Sequence, residues 1–249
     1  MAGNKSAFKH EKIGSGKLKA RVVIVSDTHG CHNKLLPSIP DGDIFIHAGD
    51  FIYYDDHSTK DFKGACLQVD EFFSKLTHKR KFIVFGNHDQ PFCDIASDVI
   101  RDSLKNVECL LDEMVEVDGL RIYGSPWTVR RESSSATSFT KQREDMKDVW
   151  EKVPRDLDIL VTHSPPYALL DGEPEGTTPC KIKCRDHPHL GCPHLRKAIL
   201  EDIKAKMHVF GHNHRSNGLY RYSKCKTLFC NAAIDMRMYG LPIVVDFHE

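Results

Sequence analysis

Five stretches of this chain run through Val, Ile, Leu and Phe and then break off in Asp, Asn or His: VVIVSDTHG (22–30), DIFIHAGD (43–50), KFIVFGNHD (81–89), DILVTHSPP (158–166) and KMHVFGHNH (206–214). A short apolar run without alternation reads as a strand buried on both faces, which is what a parallel sheet covered by other layers requires. Helical patterns lie between some of them. Residues 60–79 align Phe62, Cys66, Val69, Phe72, Phe73 and Leu76 on one stripe, and residues 193–206 align Leu195, Ile199, Leu200 and Ile203. Strand, helix, strand alternation predicts an α/β fold.

Antiparallel elements join these. MVEVDGLRIYGSP (114–126) divides at Asp118-Gly119, a strong two-residue hairpin signal, and KTLFCNAA (226–233) and LPIVVDF (241–247) extend the pattern. About nine to ten strands exceed the ~5–6 that one twisted sheet usually holds. The expected architecture is therefore a two-sheet mixed β sandwich flanked by helices. Residues 126–157 are rich in Ser, Arg and Glu and read as an excursion over the surface, with a helix from about Ser138 to Lys152. Residues 1–20 lack periodicity and are expected to be a flexible leader, with one domain over 21–249. No repeat and no Pro/Gly linker divides that domain.

Charge and cysteine content narrow the functional classes. Lys+Arg and Asp+Glu number 35 each, so bulk electrostatic attraction to nucleic acid is not expected. Nine cysteines at irregular spacing suit a reducing compartment better than a disulfide framework. The first twenty residues hold no apolar core of signal-peptide length, and nowhere do eighteen apolar residues run together, which predicts a cytoplasmic protein without a membrane partner. Gly14, Gly16 and Lys17 lack the spacing and the preceding strand of a phosphate loop.

The polar ends of the runs carry the chemistry. Asp27, His29, Asp50, Asn87, His163, His212 and His214 all follow strand-like segments, and the carboxyl ends of strands line the ligand crevice of an open α/β sheet. Extended geometry would turn Asp27 with His29, and His212 with His214, to one side. Gly30, Gly49, Gly86 and Gly211 stand beside these donors, where the chain must turn or approach closely. Two carboxylates, four imidazoles and one amide exceed the ligands of a single zinc site, so two ions sharing a carboxylate are the simplest fit. If Asp50 bridges, one ion takes Asp27, His29, Asp50 and His214 and the other takes Asp50, Asn87, His163 and His212. The absence of thiolates favours two divalent ions such as Mn, Fe or Zn. Two such ions against two aspartates leave about +2, which attracts phosphate and stabilises hydroxide. A hydroxide bridging ions roughly 3.5–4 Å apart could attack phosphorus in line. His88 then becomes the candidate catalytic group, as a phosphate contact or leaving-group acid.

In order, Asp27-x-His29, Gly49-Asp50, Gly86-Asn87-His88-Asp89, His163 and Gly211-His212-Asn213-His214 resemble the signature of the calcineurin-like metallophosphoesterase superfamily over residues 21–247. The resemblance implies the two-sheet sandwich, a dinuclear metal centre on those seven positions, and His88 in the place of the catalytic histidine. IYGSPW (122–127), DILVTHSPP, Gly191-Cys192 before a helix, and KMHVFGHNH resemble, more narrowly, the metallophosphoesterase-domain-containing branch. That branch implies a phosphodiesterase acting on small phosphate esters, with cyclic nucleotides among its substrates. Some mammalian members carry Gly where this chain has His212. The protein Ser/Thr phosphatase branch fits poorly, because Gly49-Asp50 runs into Phe51, Ile52, Tyr53 and Tyr54 without the expected arginine. The alternatives are a phosphomonoesterase or nucleotidase and, ranked below it because all seven positions are filled, a non-catalytic scaffold of the same fold.

Other residues have ordinary readings. Asp89 is expected to cap the turn after it rather than to orient His88. His47 is expected in a packing or supporting role, and Arg130 and Arg131 on a solvated loop. Cys180, Cys184, His187, His189, Cys192 and His194 lack paired C-x-x-C spacing, so a loop near the site mouth is expected rather than structural zinc, with Cys192 buried where the helix begins.

Overall fold

Every apolar run named above is a strand in the computed structural model, which describes residues 8–52, 60–132, 134–172 and 189–249. In chain order the first are β1 (Lys9–Ile13), β2 (Leu18–Val25), β3 (Ile44–Ala48), β4 (Arg80–Val84) and β5 (Glu108–Cys109). The hairpin β6 (Glu113–Val117) and β7 (Leu120–Ser125) follows, then the short pair β8 (Thr128–Val129) and β9 (Thr140–Lys141). The last are β10 (Ile159–Thr162), β11 (Met207–Phe210), β12 (Gly218–Arg221), β13 (Leu228–Asn231) and β14 (Ile243–His248). The helices are α1 (His32–Leu35), α2 (Phe62–Ser74), α3 (Ser97–Ser103), α4 (Met146–Trp150) and α5 (Pro193–Glu201).

Two six-stranded sheets result, ordered β1-β14-β2-β3-β4-β5 and β12-β13-β11-β10-β7-β6. Their centres are parallel. Antiparallel pairs form between β14 and β2, β12 and β13, and β6 and β7. The β6–β7 turn places both Asp118 and Gly119 at positive φ, as a tight hairpin turn demands.

Period-two alternation within the runs builds the layers. Val22, Ile24, Ile44 and Ile46 meet Ile122, Ile159, Val161 and Val209 between the sheets. Their neighbours Val23, Val25 and Phe45 face outward against Val69, Phe72 and Phe73 of α2. Each such phenylalanine contributes about 1.5–3 kcal/mol by burial. On the other outer face Tyr123, Leu160 and Phe229 pack against Trp150 of α4 and Leu195 and Ile199 of α5. The result is the predicted α/β sandwich of two mixed sheets flanked by helices. Among the described residues, no helix is long and apolar enough to cross a membrane.

Three local expectations are corrected. Residues 9–13, expected within a leader, form β1, paired in parallel with β14 and tied by His10 Nε2 to Asp246 Oδ2 at 2.8 Å. KHEKI carries no apolar pattern because an edge strand needs only backbone pairing. The helix expected over 138–152 is confined to α4. Thr140 and Lys141 instead pair with β8, and Thr140 Oγ1 donates to the Thr137 carbonyl at 2.7 Å, a side-chain bond that competes with helix. Nor is 126–157 merely a surface excursion, since Met146 and Trp150 are buried.

Candidate metal centre

β2, β3 and β4 end side by side in one sheet, and β10 and β11 end side by side in the other. Past those ends the chain turns sharply: Asp27 (φ 55°), His29 (42°), Asp50 (54°) and His212 (66°) all lie in the left-handed region. Such backbone costs on the order of 1–3 kcal/mol at each non-glycine residue and persists only where the surroundings hold it. The extended geometry expected for the two D-x-H and H-x-H pairs is therefore replaced by turns. His212 and His214 diverge as a result.

Two groups form. Donor atoms of Asp27, His29 and His214 lie within 4.8 Å of one another, and so do those of Asp50, His163 and His212. In the first, His214 Nε2 stands 3.2 Å from both His29 Nε2 and Asp27 Oδ1. In the second, Asn87 Oδ1 is 3.2 Å from His163 Nε2. Asp50 Oδ2 reaches both groups, at 3.2 Å from His163 Nε2 and 3.8 Å from His29 Nε2. All seven predicted donors thus converge, with Asp50 between the groups.

The residues fit cations. His212 Nε2 is buried without a hydrogen-bond partner among the described residues, a condition that costs about 1–3 kcal/mol unless something accepts the lone pair. His163 Nδ1 donates to the Ala48 carbonyl at 2.9 Å, leaving Nε2 as a ligand. His214 Nδ1 faces Asp235 Oδ1 at 3.5 Å in the same manner. Sequence reasoning missed Asp235, although it follows the β13 run much as the other site residues follow theirs.

Electrostatics point the same way. Burial lowers the pKa of His29, and it lowers that of His212 to about 3, so both imidazoles stay neutral, the form that binds metals. Burial opposes charge on Asp27 and Asp50 as well. The contact with His214 and the charge of His163 nevertheless hold Asp27 low, and the adjacent His163 does the same for Asp50. Burial likewise opposes charge on His163, yet Asp50 beside it raises its pKa. The pocket favours positive charge.

Close approach explains two of the glycines. A Cβ on Gly49, which has φ of 100°, would lie 2.4 Å from His163 Nδ1, and one on Gly211 would lie 2.0 Å from Asp27 Oδ2. Asp89 does more than the expected turn cap. It is fully buried and accepts backbone N–H groups of Asp50, Phe51, Ile52 and Gly86 at 2.7–3.0 Å. Burial and the Asp50 charge push its carboxyl up to about 7. All four donors point at its oxygens and leave no place for a proton, so the carboxylate is the form this geometry fits. His47 takes the supporting role expected of it, 3.0 Å from Thr28 Oγ1.

The donors open into a cavity of about 130 Å³, which Asp50, Asn87, His88, His212 and His214 line on one side. Thr128, Val129, Arg131, Ser134, Ala136 and Thr140 line the other, so the β8–β9 segment walls the site. His88 is half-buried, its ring edge-to-face with His29 at 4.9 Å, and its N–H donates to Asp50 Oδ1 at 2.8 Å. Leu190 completes the rim beside His189, whose Nδ1 is 2.9 Å from Asp171 Oδ1. Cys192 is buried, its sulfur accepting from Trp150 Nε1 and Leu195 N, as expected for a helix start. Cys180, Cys184 and His187 lie outside the described residues.

The chain is similar to several known proteins. The sequence pattern of the family described as calcineurin-like phosphoesterase matches residues 20–216. The UPF0046 protein C25E10.12 of Caenorhabditis elegans is 32% identical over 92% of this chain and 81% of its own length. Human metallophosphoesterase domain-containing protein 1 is 29% identical over 91% of this chain and 70% of its own. Among solved structures, a dimetal phosphatase from Danio rerio aligns over 94% of each chain at 10% identity, with a TM-score of 0.49.

Proposed function

The chain belongs to the calcineurin-like phosphoesterase family and is a metal-dependent phosphoester hydrolase, and we propose that it is a dinuclear phosphodiesterase acting on small phosphate esters, cyclic nucleotides included. The observation that carries the dinuclear reading is the position of Asp50 Oδ2, within 3.8 Å of a histidine nitrogen of each donor group. Asp27, His29, Asp50 and His214 would hold one ion, and Asp50, Asn87, His163 and His212 the other. Divalent ions there supply positive charge for a phosphate and lower the pKa of water at the site.

The chain's own residues do the rest. Asp27 and Asp50 offset only part of the cationic charge, so an anionic ester is drawn to this pocket. Ala48 and Asp235 fix the rings of His163 and His214 in the orientation of ligands. His88, on the pocket wall, hydrogen-bonds phosphate and delivers a proton to the leaving oxygen. The β8–β9 wall closes one side of the crevice, which suits a small substrate. Diester preference follows the resemblance to the metallophosphoesterase-domain-containing branch.

One observation favours the phosphomonoesterase or nucleotidase alternative. Arg131 lines the cavity beside His212, and a monoester carries a second negative charge for its guanidinium to meet. The test is elemental analysis of purified protein together with turnover of bis(p-nitrophenyl) phosphate and p-nitrophenyl phosphate under added Mn, Fe or Zn. Two bound ions and faster diester cleavage are expected. Faster monoester cleavage would move the assignment to the monoesterase. Failure on every ester with every ion would leave the scaffold role.

A further inference from the structure

We propose that Asp89 is a positioning residue of the metal centre, holding the Asp50 turn in the conformation that lets one carboxylate oxygen face both donor groups. It rests on Asp50 being the shared ligand. Asp89 Oδ2 accepts from Asp50 N at 2.9 Å and Gly86 N at 2.7 Å, while Oδ1 accepts from Phe51 N at 2.9 Å and Ile52 N at 3.0 Å. These donors belong to two segments, the turn after β3 and the turn after β4. A turn cap would serve one of them.

Asp50 returns the contact. Its Oδ1 accepts from His88 N at 2.8 Å, and His88 immediately precedes Asp89. Each turn therefore lends a carboxylate to the other's backbone. With Oδ1 tied to His88 N, the plane of the Asp50 carboxylate is set, and Oδ2 is the oxygen left to face His163 and His29. Where Oδ2 falls depends on the backbones of Asp50 and His88, and Asp89 braces both. Three consecutive N–H groups, from Asp50 to Ile52, converge as in an anion-binding nest, and Asp89 supplies the anion from within the chain. The left-handed φ of Asp50 is held by these bonds.

The test titrates metal-free protein with Co²⁺ and follows its visible absorption, with far-UV circular dichroism confirming the fold. In Asp89→Asn an amide NH₂ would confront two backbone N–H donors. The weaker of the two cobalt affinities is expected to fall about 10- to 100-fold, with kcat falling alongside and KM within about threefold. Asp158→Asn is the control: Asp158 accepts Arg121 N at 2.8 Å just before β10, at the end of that strand away from His163. Its loss should lower Tm and leave the cobalt titration unchanged. A folded Asp89→Asn protein with both cobalt affinities within about threefold of wild type, or weakened no more than in Asp158→Asn, overturns the proposal. Hydrogen exchange on metal-free wild type applies even if the variant does not fold, since the Asp50, Phe51 and Ile52 amides must exchange slowly. Exchange there at open-loop rates also overturns the proposal. Wild type that binds no cobalt would instead remove the metal centre itself.

Discussion

Gly211→Ala measures how tightly the two halves of the centre are packed. The added Cβ would stand 2.0 Å from Asp27 Oδ2 and 2.1 Å from Ser26 Oγ, whereas ordinary contact begins at 3.4 Å. Asp27 has no free direction in which to yield by more than an ångström. It is fully buried, both oxygens accept from His212 N at 2.9–3.0 Å, and Oδ1 meets His214 Nε2. Overpacking costs about 1–3 kcal/mol, and loss of a charge-assisted bond to His212 N adds about 1.5–3 kcal/mol. A total of about 2.5–6 kcal/mol lowers Tm by about 5–24 °C in a chain of this size, at ~2–4 °C per kcal/mol. Calorimetry reads the stability. Elemental analysis should show bound metal falling from two equivalents towards one, because the Asp27 group loses its carboxylate geometry first. A Tm within about 2 °C of wild type with both ions retained would show that Asp27 is not locked against Gly211, and the packing argument would fail.

Three further outcomes follow from the same geometry. Asp50→Ala should remove metal and slow turnover by at least about 100-fold, whereas His88→Ala should slow it by about 10²–10⁴-fold with metal content intact, and equal metal loss in both would contradict their roles. Asp246 is held down to about 2 by its bonds to Arg21 and His10, so the stability it contributes is present above its unfolded pKa and is lost as pH falls through about 2. With Arg21 and His10 side chains 41% and 37% exposed, that contribution is discounted to about 1–2 kcal/mol, and Asp246→Asn should lower chemical-denaturation stability by this much at pH 7 and by nearly nothing near pH 2; a pH-independent difference would refute the linkage. Arg131→Met should raise KM about 3- to 10-fold, more for a monoester than a diester, and unchanged KM for every ester would remove Arg131 from the substrate's surroundings.

The sequence by itself determined the strands of the apolar runs and the donors that five of those runs end in. An unalternating run such as VVIVSDTHG encodes both its burial and the donors that follow it, because period and composition are local properties. The hairpin at Asp118-Gly119 was legible for the same reason. β1 was not, since an edge strand with charged side chains needs only a backbone partner supplied by β14, more than two hundred residues away. The division of the seven donors into two groups was expected from the sequence, whereas tertiary structure alone decided how they are aimed, by turns at Asp27 and His212 rather than by extended spacing. It alone decided that Asp89 braces two turns, that Asp235 backs His214, and that Thr128, Val129 and Thr140 wall the pocket. Each of those contacts joins segments distant in sequence, and no local pattern specifies which distant backbone will arrive beside a given side chain once the two sheets have packed.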